Sequence, residues 1–366
     1  MIDRRIVSNF NWLYFFSILT VSVIGVITIY SANHARPEEF FRGLYIKQIY
    51  WIAYGLIAML VALAIDYRWF SRYAYLIYAL TILGLGYVLI NGVVASGSKR
   101  WIYIGSISIQ VSEFAKIAIV IALAKYFETR KLTGQYTLRD LAVPALLTAA
   151  LGGFIVVQPD LGTTMMILFI FLAFIAAIEI NRMTLAKLFV GGLALAPALW
   201  FFLKDYQKTR LRTLFNPELD PLGAGYHSIQ SKIAIGSGGF GGKGLFAGTQ
   251  SRLNFLPEKH TDFIFSVFAE ETGFIGVILL ISLFTYIILK GLNIAFRAAD
   301  RFGFFLSLGL IISISFYMIF NIGMTVGIFP ITGIPLPFVS YGGSSLITNF
   351  FAIGLLLNVE MRRTLH

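Results

Sequence analysis

The sequence contains no cysteine, so it has neither a disulfide framework nor thiol chemistry, and nothing in it marks a redox compartment. Histidine is nearly as scarce: His34, His227, His260 and His366 stand far apart, which argues against a zinc site. Charge is thin as well. Only 13% of the 366 residues are Asp, Glu, Lys or Arg, against about a quarter in a soluble domain. With 58% hydrophobic residues, that shortage excludes an ordinary soluble fold and places the chain in a membrane. The formal charge of +11 therefore points away from nucleic acid and toward basic residues held beside the cytoplasmic ends of spans.

What the sequence has in abundance is apolar runs. Segments of about 20 residues, the length that crosses a hydrocarbon core, fall near 13–33, 46–65, 71–90, 141–158, 161–179, 184–203, 263–289, 303–327 and 341–359. Another, near 112–127, is interrupted by Glu113 and Lys116. Residues 302–359 carry no charge, but Pro330, Pro335 and Pro337 break them into two crossings, because each removes a backbone donor and obstructs a continuing helix. The first run follows Arg4 and Arg5 as in a secretory signal, yet its core is too long and no small-x-small cleavage pattern follows, so it is expected to stay. The expected fold is an all-α polytopic membrane protein of about ten transmembrane helices, one domain over residues 1–366.

Counting Lys and Arg orients it. With the N-terminus inside, the cytoplasmic segments hold 15 and the short outer segments 5, which puts both termini in the cytoplasm. Residues 204–262 then form a large extracytoplasmic loop between helices 7 and 8. It carries eight basic residues, among them Arg210 and Arg212, and long loops cross regardless of charge. An anionic lipid-linked phosphate is the sharper reason for that charge. "GYHSIQSKIAIG" sets Tyr226, Ile229 and Ile233 at helical spacing, as in a short helix lying in the interface. "GSGGFGGKG" (236–244) offers a backbone able to approach a ligand closely. Its G-x-G-x-x-G pattern lacks the flanking strand and long helix of a dinucleotide site, and Ser237 and Gly244 break the phosphate-binding P-loop pattern.

Charges within the runs narrow the site. Glu113 and Lys116, three residues apart on one helical face, read either as an ion pair within the bundle or as a cavity-facing cation with its orienting acid. Asp160 in "QPDLGT" reads as a helix N-cap after a proline turn. Glu270 and Glu271 are adjacent, point different ways, and require at least one wet cavity or polar partner. "GSKRW" (97–101), "QPDLGT", "LPEKHTD" and "PLPFVSYGGSS" all fall at outer ends of spans, and broken helices there line protein or a cavity. They place Arg100, Trp101, Asp160, Glu258, His260, Asp262 and Ser340 around one outward-facing polar cavity, either an active site or a permeation vestibule. Asp262, at the mouth of the eighth span, is read as a helix cap or as a catalytic base.

"QPDLGT" (158–163), "DPLGAGYHSIQSKIAIGSGG" (220–239), "GTQS" (248–251), "FLPEKHTDFIF" (255–265), "AEETG" (269–273) and "PLPFVSYGGSS" (335–345) together resemble the SEDS family of bacterial wall polymerases, on its rod-shape elongation side. The resemblance runs through nearly the whole chain. It implies ten spans, a large loop between the seventh and eighth, and peptidoglycan glycosyl transfer from a lipid-linked disaccharide-pentapeptide (lipid II) on the outer face of the bacterial plasma membrane. The family's donor is α-linked and its product β-linked, which implies one inverting displacement with no covalent nucleophile. By resemblance Asp262 is the general base, and Lys116, with Arg210 or Arg212, contacts the polyprenyl pyrophosphate. Glu113, Asp160, Arg100, Trp101, Glu258, His260 and Ser340 complete the expected substrate-binding set. No cofactor is certain from the sequence, and a divalent cation, Mg²⁺ or Mn²⁺, is the candidate. The implied partners are a class B penicillin-binding protein acting as transpeptidase and other membrane proteins of the elongation machinery. A flippase of the same lipid precursor is the alternative function.

Overall fold

The computed structural model describes residues 9–34, 41, 43–95, 98–104, 107–130, 135–221, 223–253, 255–256 and 258–363. Arg4 and Arg5 lie outside them. In chain order the elements are α1 (Trp12–Asn33), α2 (Leu44–Ala64), α3 (Tyr67–Arg72), α4 (Ala74–Asn91), β1 (Val93–Ala95), β2 (Ser98–Ile104), β3 (Ile107–Gln110), α5 (Val111–Thr129), α6 (Leu138–Val157) and α7 (Leu161–Ala176). There follow α8 (Arg182–Phe202), α9 (Asp205–Phe215), a 3₁₀ turn (Pro217–Leu219), α10 (Ala224–Ser237), α11 (Thr249–Arg252), α12 (Ile264–Phe296), α13 (Arg301–Val326) and α14 (Gly343–Arg362).

A helix lies over every apolar run. Seven of them, α1, α2, α4, α6, α12, α13 and α14, are long and apolar enough to cross a membrane. The other three runs are α5, which carries Glu113 and Lys116, the 16-residue α7, and α8. Helix starts are set locally. Asn11, Asp66, Asn181 and Asp300 each accept a first-turn backbone N–H of α1, α3, α8 and α13. Thr137 and Asp140 form a capping box on α6, satisfying donors that a helix end leaves open.

α13 and α14 form the centre of the bundle, their apolar windows 83% buried. Peripheral helices turn large side chains outward, such as Ile90 on α4 and Phe189 and Phe201 on α8. A band of exposed apolar surface of that kind suits lipid rather than water. The start of α1 and the end of α14 meet at one end of the bundle, where Asn11 Nδ2 donates to Glu360 Oε1 at 3.3 Å. The opposite end carries the sheet, residues 204–262, and the irregular chain between α13 and α14.

Two features depart from the sequence reading. β1, β2 and β3, within what the sequence showed only as a short outer segment, form a three-stranded antiparallel sheet in the order β1-β2-β3, with Trp101 opposite Gln110. The glycine-rich run, expected to approach a ligand, instead approaches protein. At Gly273 (φ 64°, ψ −163°) α12 breaks. The carbonyls of Glu270 and Glu271 accept from the N–H groups of Lys243 and Gly244, while the N–H groups of Phe274 and Ile275 donate to the carbonyls of Gly239 and Phe240. A Cβ at Gly273 would lie 2.2 Å from the Gly242 nitrogen, so only glycine permits the approach. The expected short helix is present as α10, with Ile229 and Ile233 on its exposed side.

Candidate active site

A cavity of about 370 Å³ opens at the end of the bundle away from the start of α1 and the end of α14. Its walls come from five regions of the chain. The sheet and the start of α5 supply Arg100, Trp101, Gln110 and Glu113; the start of α7 supplies Asp160 and Thr163; α9 supplies Arg210. The turn before α12 brings Glu258, Thr261 and Asp262, and Tyr317 of α13 with residues 332–335 and 341–345 closes the far side.

Asp262 is the carboxylate of interest. The N-cap of α12 is Phe263, and no side chain caps it, so the capping reading of Asp262 does not hold. Asp262 forms no ion pair among the described residues. Burial pushes its carboxyl up to about 6; Glu258 adds to the rise, and Arg210 and Arg100 oppose it. The carboxylate is thus ionised near neutral pH and still basic enough to accept a proton.

Asp160 does what capping predicts and more. Its Oδ1 accepts from Thr163 N at 3.2 Å, while Oδ2 takes bonds from Thr163 Oγ1, Ser112 Oγ and Gln110 Nε2 and sits 3.4 Å from Arg100 Nη1. It joins three elements and holds Arg100 at the cavity wall. Arg210 stands across from it with its guanidinium 5.7 Å from the Tyr206 ring.

Four expected contacts take other places. Lys116 does not line the cavity. It is buried, with Nζ 2.6 Å from Glu113 Oε2 and 4.3 Å from the centre of the Tyr317 ring, so its charge is already matched. Arg212 lies over Trp200 rather than in the cavity. Ser340 is buried and bonded to the Thr261 carbonyl and the Leu336 N–H. His260 stands behind the wall, its carbonyl accepting from Tyr341 N and its ring 6.0 Å from that of Tyr341. Tyr317 and Gln110 line the cavity, though nothing in their sequence surroundings marks them. Glu270 and Glu271 do find polar partners. Glu270 Oε1 accepts from Lys243 Nζ at 2.8 Å and from Thr249 N at 2.8 Å, and Glu271 accepts from Ser31 Oγ.

Among the described residues no three His, Asp or Glu side chains converge on a metal position. Those residues build no all-protein cage. A Mg²⁺ ion that draws most of its ligands from phosphate and water needs only one or two carboxylates, which the cavity supplies.

Beside the polar cavity runs an apolar groove of about 620 Å³ lined by α2, α3, α4, α5 and α14. Thr348 joins the two, lining the groove while donating to Glu113 Oε2 at 3.2 Å.

The fold and cavity define a polytopic membrane protein with a charged site at one end of its bundle. The family model for FtsW, RodA and SpoVE, described as cell cycle protein, matches residues 11–365. The chain is 41% identical over 355 residues to the peptidoglycan glycosyltransferase MrdB of Escherichia coli strain K12, covering 94% of this chain and 92% of that protein. It is 35% identical to the peptidoglycan glycosyltransferase RodA of Treponema pallidum, covering 98% and 99%. A chain solved in a peptidoglycan synthase complex that coordinates polymerization and crosslinking superposes with a TM-score of 0.83 at 30% identity, covering 98% of this chain and 99% of that one. The chain belongs to the FtsW/RodA/SpoVE family, the SEDS family that its six motifs imply.

Proposed function

We infer that the protein is a peptidoglycan glycosyltransferase that polymerises lipid II into glycan strands during elongation of rod-shaped cells. The observation that carries this reading is Asp262, a carboxylate without an ion pair, in a cavity that also presents Arg100 and Arg210. A sugar hydroxyl gives its proton to the Asp262 carboxylate as its oxygen attacks the anomeric carbon of the donor, a step worth roughly 10²–10⁴-fold. The bond from that carbon to the pyrophosphate breaks on the opposite face, and the polyprenyl pyrophosphate leaves with the electron pair. Arg210 and Arg100 meet the departing negative charge. The proton passes from Asp262 to water. A divalent cation held by Asp160 or Glu258 would add charge stabilisation for the leaving group.

The substrate is half polar and half hydrocarbon, and so is the site. A sugar pyrophosphate in the cavity puts a polyprenyl chain within reach of the apolar groove across Thr348. Ten spans, termini in the cytoplasm, and residues 204–262 outside a bacterial plasma membrane fit this arrangement, since the precursor's sugars would then meet the cavity on the outer face. A class B penicillin-binding protein is the partner this product requires, because glycan strands must be cross-linked. Other membrane proteins of the elongation machinery would join them.

Purified protein in detergent, given the lipid-linked disaccharide-pentapeptide, should release glycan polymer. Turnover there cannot come from flipping, and binding without product would favour the flippase. For sidedness, cysteines at Ser98 and Ser237 should react with an impermeant thiol reagent from outside and one at Thr133, outside the described residues, should not. The opposite labelling would overturn the placement of the site.

A further inference from the structure

Three consecutive carbonyls lead into the base. The His260 carbonyl accepts from Tyr341 N at 2.9 Å, the Thr261 carbonyl from Ser340 Oγ at 2.6 Å, and the Asp262 carbonyl from Asn321 Nδ2 at 2.9 Å. The side-chain amide of Asn321 is fully buried on α13 and donates a second time, to the Ile334 carbonyl at 2.7 Å. Two carbonyl partners fix which way the amide points, because only its NH₂ can serve both. One side chain thus ties the backbone that carries Asp262 to the irregular chain forming the opposite wall.

That wall comes very close. A Cβ at Gly333 (φ +72°) would lie 3.3 Å from Asp262 Oδ2. The space at the carboxylate is therefore set by where residues 332–335 lie relative to residue 262, and Asn321 bonds to both. Leucine would fill the same volume but donate to neither, and aspartate would turn oxygens toward carbonyls.

We propose that Asn321 is a positioning residue for Asp262, fixing the base at its working distance from the wall formed by residues 332–335 and keeping it out of bulk water. The proposal rests on reading Asp262 as the base. Asn321 is absent from the motifs that mark the site, and it touches the cavity only through main-chain atoms. The groups that face Asp262 are Glu258 on its own turn, Arg210 of α9 and Arg100 of β2, with Asp160, Glu113 and Tyr317 further round the cavity. Loosening the turn leaves Arg210, Arg100, Asp160, Glu113 and Tyr317 in place, so a change in titration traces to the turn itself, through the hydration of Asp262 and its distance from Glu258.

The test is polymerisation of the lipid-linked disaccharide-pentapeptide by full-length Asn321→Leu, with kcat, KM and the pH profile read per folded molecule. Losing the position of the base by about an ångström should lower kcat by roughly 10- to 100-fold with KM within about threefold. The acid limb should also move down, from near 6 toward the ordinary carboxylate value of about 4. Ser340→Ala, which frees the neighbouring carbonyl, should move kcat and the limb the same way by less. If Asn321→Leu gives no folded protein, Ser340→Ala decides by the same readings. Wild-type kcat, or a fall in kcat with the acid limb unmoved, assigns Asn321 to the fold and overturns the proposal. An Asp262→Asn control separates the two levels. If that variant still polymerises, the base assignment itself fails; if it is inactive while Asn321→Leu behaves as wild type, only the positioning role falls.

Discussion

At the end of the bundle where α1 starts and α14 ends, Glu360 meets Lys290 at 2.7 Å, Asp140 meets Arg130 at 2.6 Å and Asp300 meets Arg68 at 3.4 Å. In the cavity at the other end, Asp262 and Glu258 have no such partner among the described residues, although Arg100 and Arg210 share the space. The same residue types serve two purposes. Paired charges fasten helix ends and loops. Acids held near cations without pairing cost the fold something and leave capacity for a substrate. Glu113 and Lys116 fall on the fastening side of this division, although they lie next to the cavity.

Asp262→Asn should break the contrast most severely. Polymerisation is expected to fall by about 10²-fold or more while expression and precursor binding persist. Thermal stability above pH 6 should hold or rise, because a carboxyl whose native value is raised is disfavoured once ionised. In the wild type the same rise sets the pH dependence. Activity should be lost as pH falls through about 6, by about tenfold per unit, as the base takes up its proton. An acid limb near 4 would mean a hydrated Asp262.

Lys116→Met comes next. It strands Glu113 in the bundle and should cost about 3–5 kcal/mol, read as loss of folded protein on mild heating in detergent. Glu113→Gln added to it should restore the fold. A stable Lys116→Met protein that has lost only activity would move this lysine to the catalytic side. Arg210→Ala should lower kcat/KM for the precursor about tenfold, with most of the loss in kcat, measured by initial rates, whereas Arg212→Ala, whose guanidinium lies over Trp200, should change either little. The smallest effect belongs to Arg68→Ala. It removes a half-exposed contact to Asp300 and should shift stability by no more than about 1 kcal/mol.

The helical plan was readable because lipid imposes a length and because proline stops a helix, so the run 302–359 divides where Pro330, Pro335 and Pro337 fall. The sheet was readable too, in "SKRWIYIGSISIQ", where β-strand formers flank a Gly-Ser turn, but scanning for 20-residue runs treats anything shorter as loop. The motifs brought together Arg100, Asp160, Glu258 and Asp262, and the basic residues of 204–262 added Arg210. They did not separate side chains that face the cavity from side chains that hold it. Ser340 sits in the most recognisable stretch and bonds only to protein, while Asn321 sits in a plain apolar helix and supports the base. Lys116 shows the same limit: spacing put it on one face with Glu113, and only the packing of Tyr317 shows that its charge is already matched.

The break at Gly273 has a mechanical meaning. The first turns of α12, from Ile264 to Thr272, are bonded through their exposed carbonyls to residues 243 and 244, and the helix below the break is bonded through its free N–H groups to residues 239 and 240. The glycine-rich segment therefore works as a splice plate across a jointed beam. A load applied to the loop from outside is carried to both sides of the joint at once, and Asp262, at the top of the short upper segment, would swing with it. Severing the chain between Gly239 and Gly244 would leave the joint free to bend about three turns from Asp262.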